Sequence, residues 1–141
     1  MILLTCLHIF LDNEQVLLCS TFQHPFYPYS GTDTQRAHII NVPLANGSGS
    51  AAFREAVTQH WLPALQAQRP QLILISAGFD AHIEDDMAGL RLTEHDYAWV
   101  TQQIRELADQ HCQGHIVSML EGGYALSALG RSVVAHIKAL L

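Results

Sequence analysis

Basic residues are scarce in this chain of 141 residues: seven Lys and Arg stand against thirteen Asp and Glu, for a formal net charge of −6. The few cations are scattered, so there is no basic stripe to follow a phosphate backbone, and a nucleic-acid partner is disfavoured. Cysteine is also sparse. Cys6, Cys19 and Cys112 are odd in number, widely spaced and without a CxxC pair, which argues against a disulfide framework or structural zinc cluster and predicts a reducing, cytoplasmic setting. A membrane span is not expected, because the apolar opening run reaches Asp12 too soon and lacks both a basic leader and a small-residue cleavage site. Internal repeats and low-complexity segments are missing. So are a GxGxxG and a P-loop, which sets aside a nucleotide-binding domain built on Gly122-Gly123.

What is present is apolar. With 49% hydrophobic and 14% charged residues, the chain is long enough to bury one core, and residues 1–141 are expected to form a single domain. Residues 15–20 and 37–42 read as strands, the second stopped by Pro43. The segment 23–34, with its prolines and aromatics, reads as an irregular loop. Over 50–68, Ala52, Phe53, Ala56, Val57, Trp61 and Leu65 recur at helical spacing, with Ser48 or Ser50 as N-cap and Pro63 as a kink or boundary. A strand at 72–76 precedes a helix that Thr93 and Asp96 open as a capping box, with Tyr97, Val100, Ile104 and Leu107 inward. A strand at 115–120 leads to a closing helix from about 125 to 141, whose inner face would hold Leu129, Val133, His136 or Ile137, and Leu140. This order predicts an α/β fold of three layers, α/β/α, with a mainly parallel sheet covered on both faces.

Sites in such sheets lie beyond the carboxyl ends of the strands. Two glycine turns fall there: Ala77-Gly78-Phe79-Asp80-Ala81-His82 and Glu121-Gly122-Gly123-Tyr124. Asp80 reads equally as a turn cap and as a metal ligand, and Asp80 with His82 makes a possible ligand pair, one donor short of a catalytic zinc site. Nine His keep a metal site in view. Tyr124 reads either as a ring packed at a helix start or as a phenol donating to a developing oxyanion. Glu121 is a general base by type or a binder of turn amides.

These residues, with Leu90-x-Leu92-Thr93-x-x-Asp96-Tyr97, Leu120-Glu121-Gly122-Gly123-Tyr124-x-Leu126 and Ser132-Val133-x-Ala135-His136, resemble the carboxyl-terminal part of the zinc-dependent histone deacetylase family, which includes bacterial acetylpolyamine amidohydrolases. Upstream the similarity runs through Asp12-Asn13-x-x-Val16-Leu17 and Pro25-Phe26-Tyr27-Pro28 to Asn41-Val42-Pro43. The resemblance implies a truncated arginase/deacetylase-like fold and hydrolysis of acetyl-lysine or acetylpolyamine amides. It also implies Asp80 as a zinc ligand, Tyr124 as the oxyanion donor, and Tyr27, Met87 and Gly123 along the path of the acyl chain.

Several parts of that family pattern are missing. The family's Asp-x-His metal motif and His-His pair have no match upstream of Phe10, and Asp85-Asp86-Met87 stands where Asp-Pro-Leu is usual. Zinc is therefore expected at an incomplete site, the isolated chain is expected to be inactive, and a homo-oligomer is expected from uncovered sheet edges and faces. A noncatalytic self-association module is the alternative.

Overall fold

The computed structural model describes residues 2–27, 29–33 and 36–141. Pro28 of the Phe-Tyr-Pro stretch, Thr34 of the expected loop and Met1 of the opening run lie outside them. The first element is a helix, α1 (Ile2–Phe10). A turn follows, in which the Asn13 N–H donates to the Phe10 carbonyl at 3.1 Å and the Val16 N–H to that of Asn13 at 3.1 Å. That turn displaces the first strand. It runs as β1 (Leu18–Gln23) rather than over 15–20, and the Leu18 N–H donates to the His38 carbonyl at 2.9 Å.

Its parallel partner is β2 (Ile39–Leu44), in register from Leu18 opposite Ile39 to Gln23 opposite Leu44. Pro43 does not stop this strand as expected but sits exposed within it. Among the described residues β2 has a strand partner on one side only, and an edge strand tolerates the missing donor.

The expected helix over 50–68 is unbroken but not uniform. It consists of α2 (Ser50–Ala56), a π-helical turn (Val57–Trp61) and α3 (Leu62–Gln68). Pro63 falls in the first turn of α3, where its missing N–H costs little, and the wider π turn before it takes up the geometry. Neither Ser48 nor Ser50 caps α2. Gly49 holds that position without a side-chain bond, because the Ser50 hydroxyl is committed to Asp96.

The second half keeps the expected order with shifted ends. It comprises β3 (Ile73–Ala77), α4 (Glu94–Cys112), β4 (Ile116–Leu120) and α5 (Leu126–Leu140). β3 and β4 pair in parallel, Ile73 opposite Ile116 and Ala77 opposite Leu120. α5 is rotated slightly from the expected face: His136 is buried as expected, Ala128, Ser132 and Ala139 are buried with it, and Ile137, its alternative, is 48% exposed. Small residues at the contact let α5 lie close to α4, with Leu129 and Val133 flanking the core.

One core joins both halves. Leu44, Phe53, Val57, Ala77, Phe79, Leu92 and Tyr97 belong to a single cluster, with Phe53 edge-on to Trp61 and to Trp99. In place of the one sheet expected, the described residues form two parallel two-stranded sheets, β1–β2 and β3–β4, and the second is not covered on both faces. Ile73, Ile75 and Ile116 pack with Ala108 and Cys112, whereas Leu74 and Met119 are each 68% exposed, with Leu72 and Val117 bare beside them. Period-two alternation puts Leu74, Val117 and Met119 on one face. No described helix lies over it, and among the described residues no helix is long and apolar enough to cross a membrane.

Candidate functional site

The parallel pairing of β3 and β4 brings the two glycine turns side by side. The Glu121 N–H donates to the Ala77 carbonyl at 3.0 Å, and the Phe79 N–H to the Gly122 carbonyl at 2.7 Å. Asp80 then lies directly against the second turn: a Cβ built on Gly122 would stand 2.6 Å from Asp80 Oδ2. Gly122 is thus a glycine because a carboxylate occupies the space of its side chain. Burial pushes the Asp80 carboxyl above its ordinary range, its own backbone amide opposes this, and the charge of Asp85 adds to the rise. The Glu121 carboxyl is also raised, first by partial burial, with the charge of Asp80 adding to it. Negative charge at these turns is therefore unfavourable without a cation.

His82 does not join Asp80 as a ligand. Its Nδ1 accepts the Glu84 N–H at 3.1 Å, so the proton of the neutral ring is on Nε2, which faces Glu94 Oε2 at 3.4 Å. No lone pair is left for a metal, and the expected Asp-x-His pair reduces to Asp80 alone. Glu94 in turn bonds Arg131, which lowers its carboxyl to about 2. Burial pushes the Cys19 thiol up to about 12, so it is a poor source of thiolate. Among the described residues no three His, Cys, Asp or Glu side chains gather where they could hold a metal. The donors present do not fit a zinc ion by themselves, since a catalytic zinc takes about three protein ligands.

Gly123 has φ of 136°, and a Cβ there would meet Leu129 Cδ1 at 2.8 Å. Next to it, Tyr124 is 59% exposed, so its ring does not pack into the core at the helix start. Met87 is exposed on the loop after β3, and Tyr27 is exposed on the loop after β1. No hydrogen bond among the described residues ties Tyr27 to the Asp80 turns.

Two groups that matter here were given no part in the site by the sequence, though His136 was expected on the inner face of α5. Asp85 is buried, its Oδ1 accepts the Met87 N–H at 3.0 Å, and its Oδ2 accepts the Tyr124 N–H at 2.6 Å. Burial would raise its carboxyl, but the amides of Tyr124, Met87 and Ala125 hold it below the usual range. The second is His136. The Thr101 hydroxyl spends its proton on the Tyr97 carbonyl at 2.6 Å and lies 2.7 Å from His136 Nδ1, so Nδ1 donates to it. His136 Nε2 then accepts the Ser118 hydroxyl at 2.8 Å. Burial pushes this imidazole down and keeps it neutral. The network ends at the site, where Tyr97 donates to the Phe79 carbonyl at 3.2 Å, one residue before Asp80. The sequence signal for Asp85 was a polar residue within a motif, and for His136 a motif position that also falls on the inner face of α5.

Comparison with known proteins gives one answer. A model of the histone deacetylase domain matches residues 6–140. The type-2 histone deacetylase 2 of Dictyostelium discoideum is 40% identical over 128 residues, 82% of this chain and 8% of that protein. The chloroplastic histone deacetylase 14 of Arabidopsis thaliana is 36% identical over 138 residues, 94% of this chain and 33% of that protein. The crystal structure of the HDA15 HD domain superposes with a TM-score of 0.86 at 32% identity, covering 96% of this chain and 40% of that one. The chain thus spans well under half the length of each.

Proposed function

The chain belongs to the histone deacetylase family, and we propose that its 141 residues are one domain, the carboxyl-terminal part of a zinc-dependent acyl-amide hydrolase. It carries Asp80 as one zinc ligand and Tyr124 as the donor to the amide oxygen, and on its own it does not turn over. The observation that carries this reading is the seating of the Asp80 carboxylate against Gly122, one turn from an exposed Tyr124. A phenol placed to meet oxygen charge as it develops contributes about 3–4 kcal/mol in sites of this type. Tyr27, Met87 and Gly123 are assigned to the path of an acetyl-lysine or acetylpolyamine chain. The further metal ligands and the general base must come from outside these residues. We assign the chain to the cytoplasm on its free thiols, and to neither nucleic acid nor a membrane surface on its charge.

Metal analysis and an acetyl-lysine assay test this together. The purified chain is expected to hold no stoichiometric zinc and to release no acetate above the uncatalysed rate. Stoichiometric zinc, with turnover abolished by Tyr124→Phe, would overturn the expected inactivity and uphold the role of Tyr124.

The bare face of β3 and β4 favours a second reading, self-association without catalysis. Leu72, Leu74, Val117 and Met119 are exposed together, and a contiguous apolar patch of this kind favours burial against another copy. A dimer or larger species is expected by light scattering at micromolar concentration. A monomer counts against it.

A further inference from the structure

Asp85 is 4% exposed and spends both carboxylate oxygens on backbone amides of two separate loops. Oδ1 takes the Met87 N–H at 3.0 Å, while Oδ2 takes Tyr124 at 2.6 Å and Ala125 at 3.1 Å. Ala125 is the residue at which α5 begins, and no side chain of that segment caps the helix. Asp85 fills this role from 40 positions away, where a negative charge is also favoured by the helix dipole. Hydrogen bonds to an ionised acceptor are shorter and about twice as strong as neutral ones.

Met87 and Tyr124 are far apart in the chain and exposed, and this one buried carboxylate binds the backbone of both. We infer that Asp85 is a positioning residue that sets Tyr124 and Met87 relative to each other, fixing the donor to the amide oxygen against the wall of the acyl path. The assignment rests on the reading of those two residues given above. Its physical content is that two loops are clamped by two separate oxygens.

Residue-by-residue amide hydrogen exchange on the 141-residue chain, with Asp85→Ala and Asp85→Asn, tests it. An asparagine has one acceptor oxygen, and turned towards Tyr124 and Ala125 it keeps two bonds and leaves its amide facing Met87. Exchange at Met87 should then rise about tenfold or more in Asp85→Asn, with Tyr124 and Ala125 little changed, and in Asp85→Ala all three should rise by at least that factor. Release of the two sides separately in Asp85→Asn, in either sense, upholds the clamp. Release of all three amides in step with the loss of global stability, read by urea denaturation, overturns it, as does unchanged exchange in Asp85→Ala. Exchange needs no turnover. Turnover by the chain that survives Tyr124→Phe would remove the catalytic reading of Tyr124 and leave the clamp standing.

Discussion

Replacing Asp96 by alanine is expected to lower stability by about 3–5 kcal/mol, the range for breaking a buried charged network by removing one partner. Asp96 has no exposed surface, yet it is charged, because everything around it donates. The Ser50 hydroxyl lies 2.6 Å from Oδ1 and 2.7 Å from Oδ2. The Thr93 N–H reaches Oδ2 at 3.0 Å, and Arg54 Nε reaches Oδ1 at 3.1 Å. Burial would raise this carboxyl, but these donors outweigh it and hold the group below its ordinary value of 3.8. A depressed carboxyl adds stability above its unfolded value, and that contribution is lost as pH falls through the folded one. The alanine variant should therefore lose most against the wild type near neutral pH, with the difference shrinking in acid. Arg54, partly exposed and lying over the Trp99 ring at 5.0 Å, keeps some solvation when its partner is gone, which favours the lower end of the range. Urea denaturation at pH 7 and pH 3 measures both quantities. A loss below about 1 kcal/mol at pH 7 would mean that Asp96 is no more than a surface cap.

The same residue shows how far local pattern reaches. Thr93 followed by Asp96 reads as a capping box from spacing alone, because both partners lie within one helical turn. That Ser50 and Arg54 also converge on Asp96 depends on how α2 approaches α4, and nothing in the sequence states it. Parallel pairing of the two apolar runs was legible from the alternation of strand and helix, and the glycine turns followed from that topology. Strand ends were not legible, since the Asn13 turn and the His38 carbonyl decide where β1 begins. The face of α5 was read in part: Leu129, Val133 and His136 do turn to the core, whereas close approach to α4 buries Ala128 and Ser132 deepest and leaves Ile137 exposed. An uncovered sheet face was expected from the missing part of the family pattern, but not that it would be the one holding Leu74, Val117 and Met119. Apolar strand residues look the same whether or not anything lies over them.

At the site the division is similar. Asp80 and Tyr124 stood out because each follows a strand and a glycine. His82 looked like a companion ligand until its ring nitrogens could be counted, one taken by Glu84 and the other turned to Glu94. Asp85 stood next to a departure from a motif, Asp86-Met87 in place of Pro-Leu, and only the folded chain gives it three amides to hold.

Gly123→Ala is the other substitution expected to act strongly, with a cost of about 3 kcal/mol from backbone strain and overpacking together. A φ of 136° is a conformation that side-chain-bearing residues rarely adopt, and the added methyl would sit 2.8 Å from Leu129 Cδ1 and 3.1 Å from Phe79 Cβ. Leu129 can turn aside. Phe79 cannot, because its ring is buried between Tyr97 and His136, at centroid distances of 5.0 Å and 5.9 Å, and its own N–H is bound to Gly122. Gly130 in α5 supplies the control: a Cβ there meets nothing within 4 Å, so Gly130→Ala should gain about 0.5–1 kcal/mol by restricting the unfolded chain. Thermal melts of the two variants should therefore move in opposite directions from the wild type. If Gly123→Ala melts with the wild type, the turn can relax freely, and a relaxed turn could not hold Tyr124 on Asp85 or keep Gly122 against Asp80. The stability of this one position is thus also a measure of how rigidly the two glycine turns are joined, and any chemistry carried by Asp80 and Tyr124 depends on that rigidity.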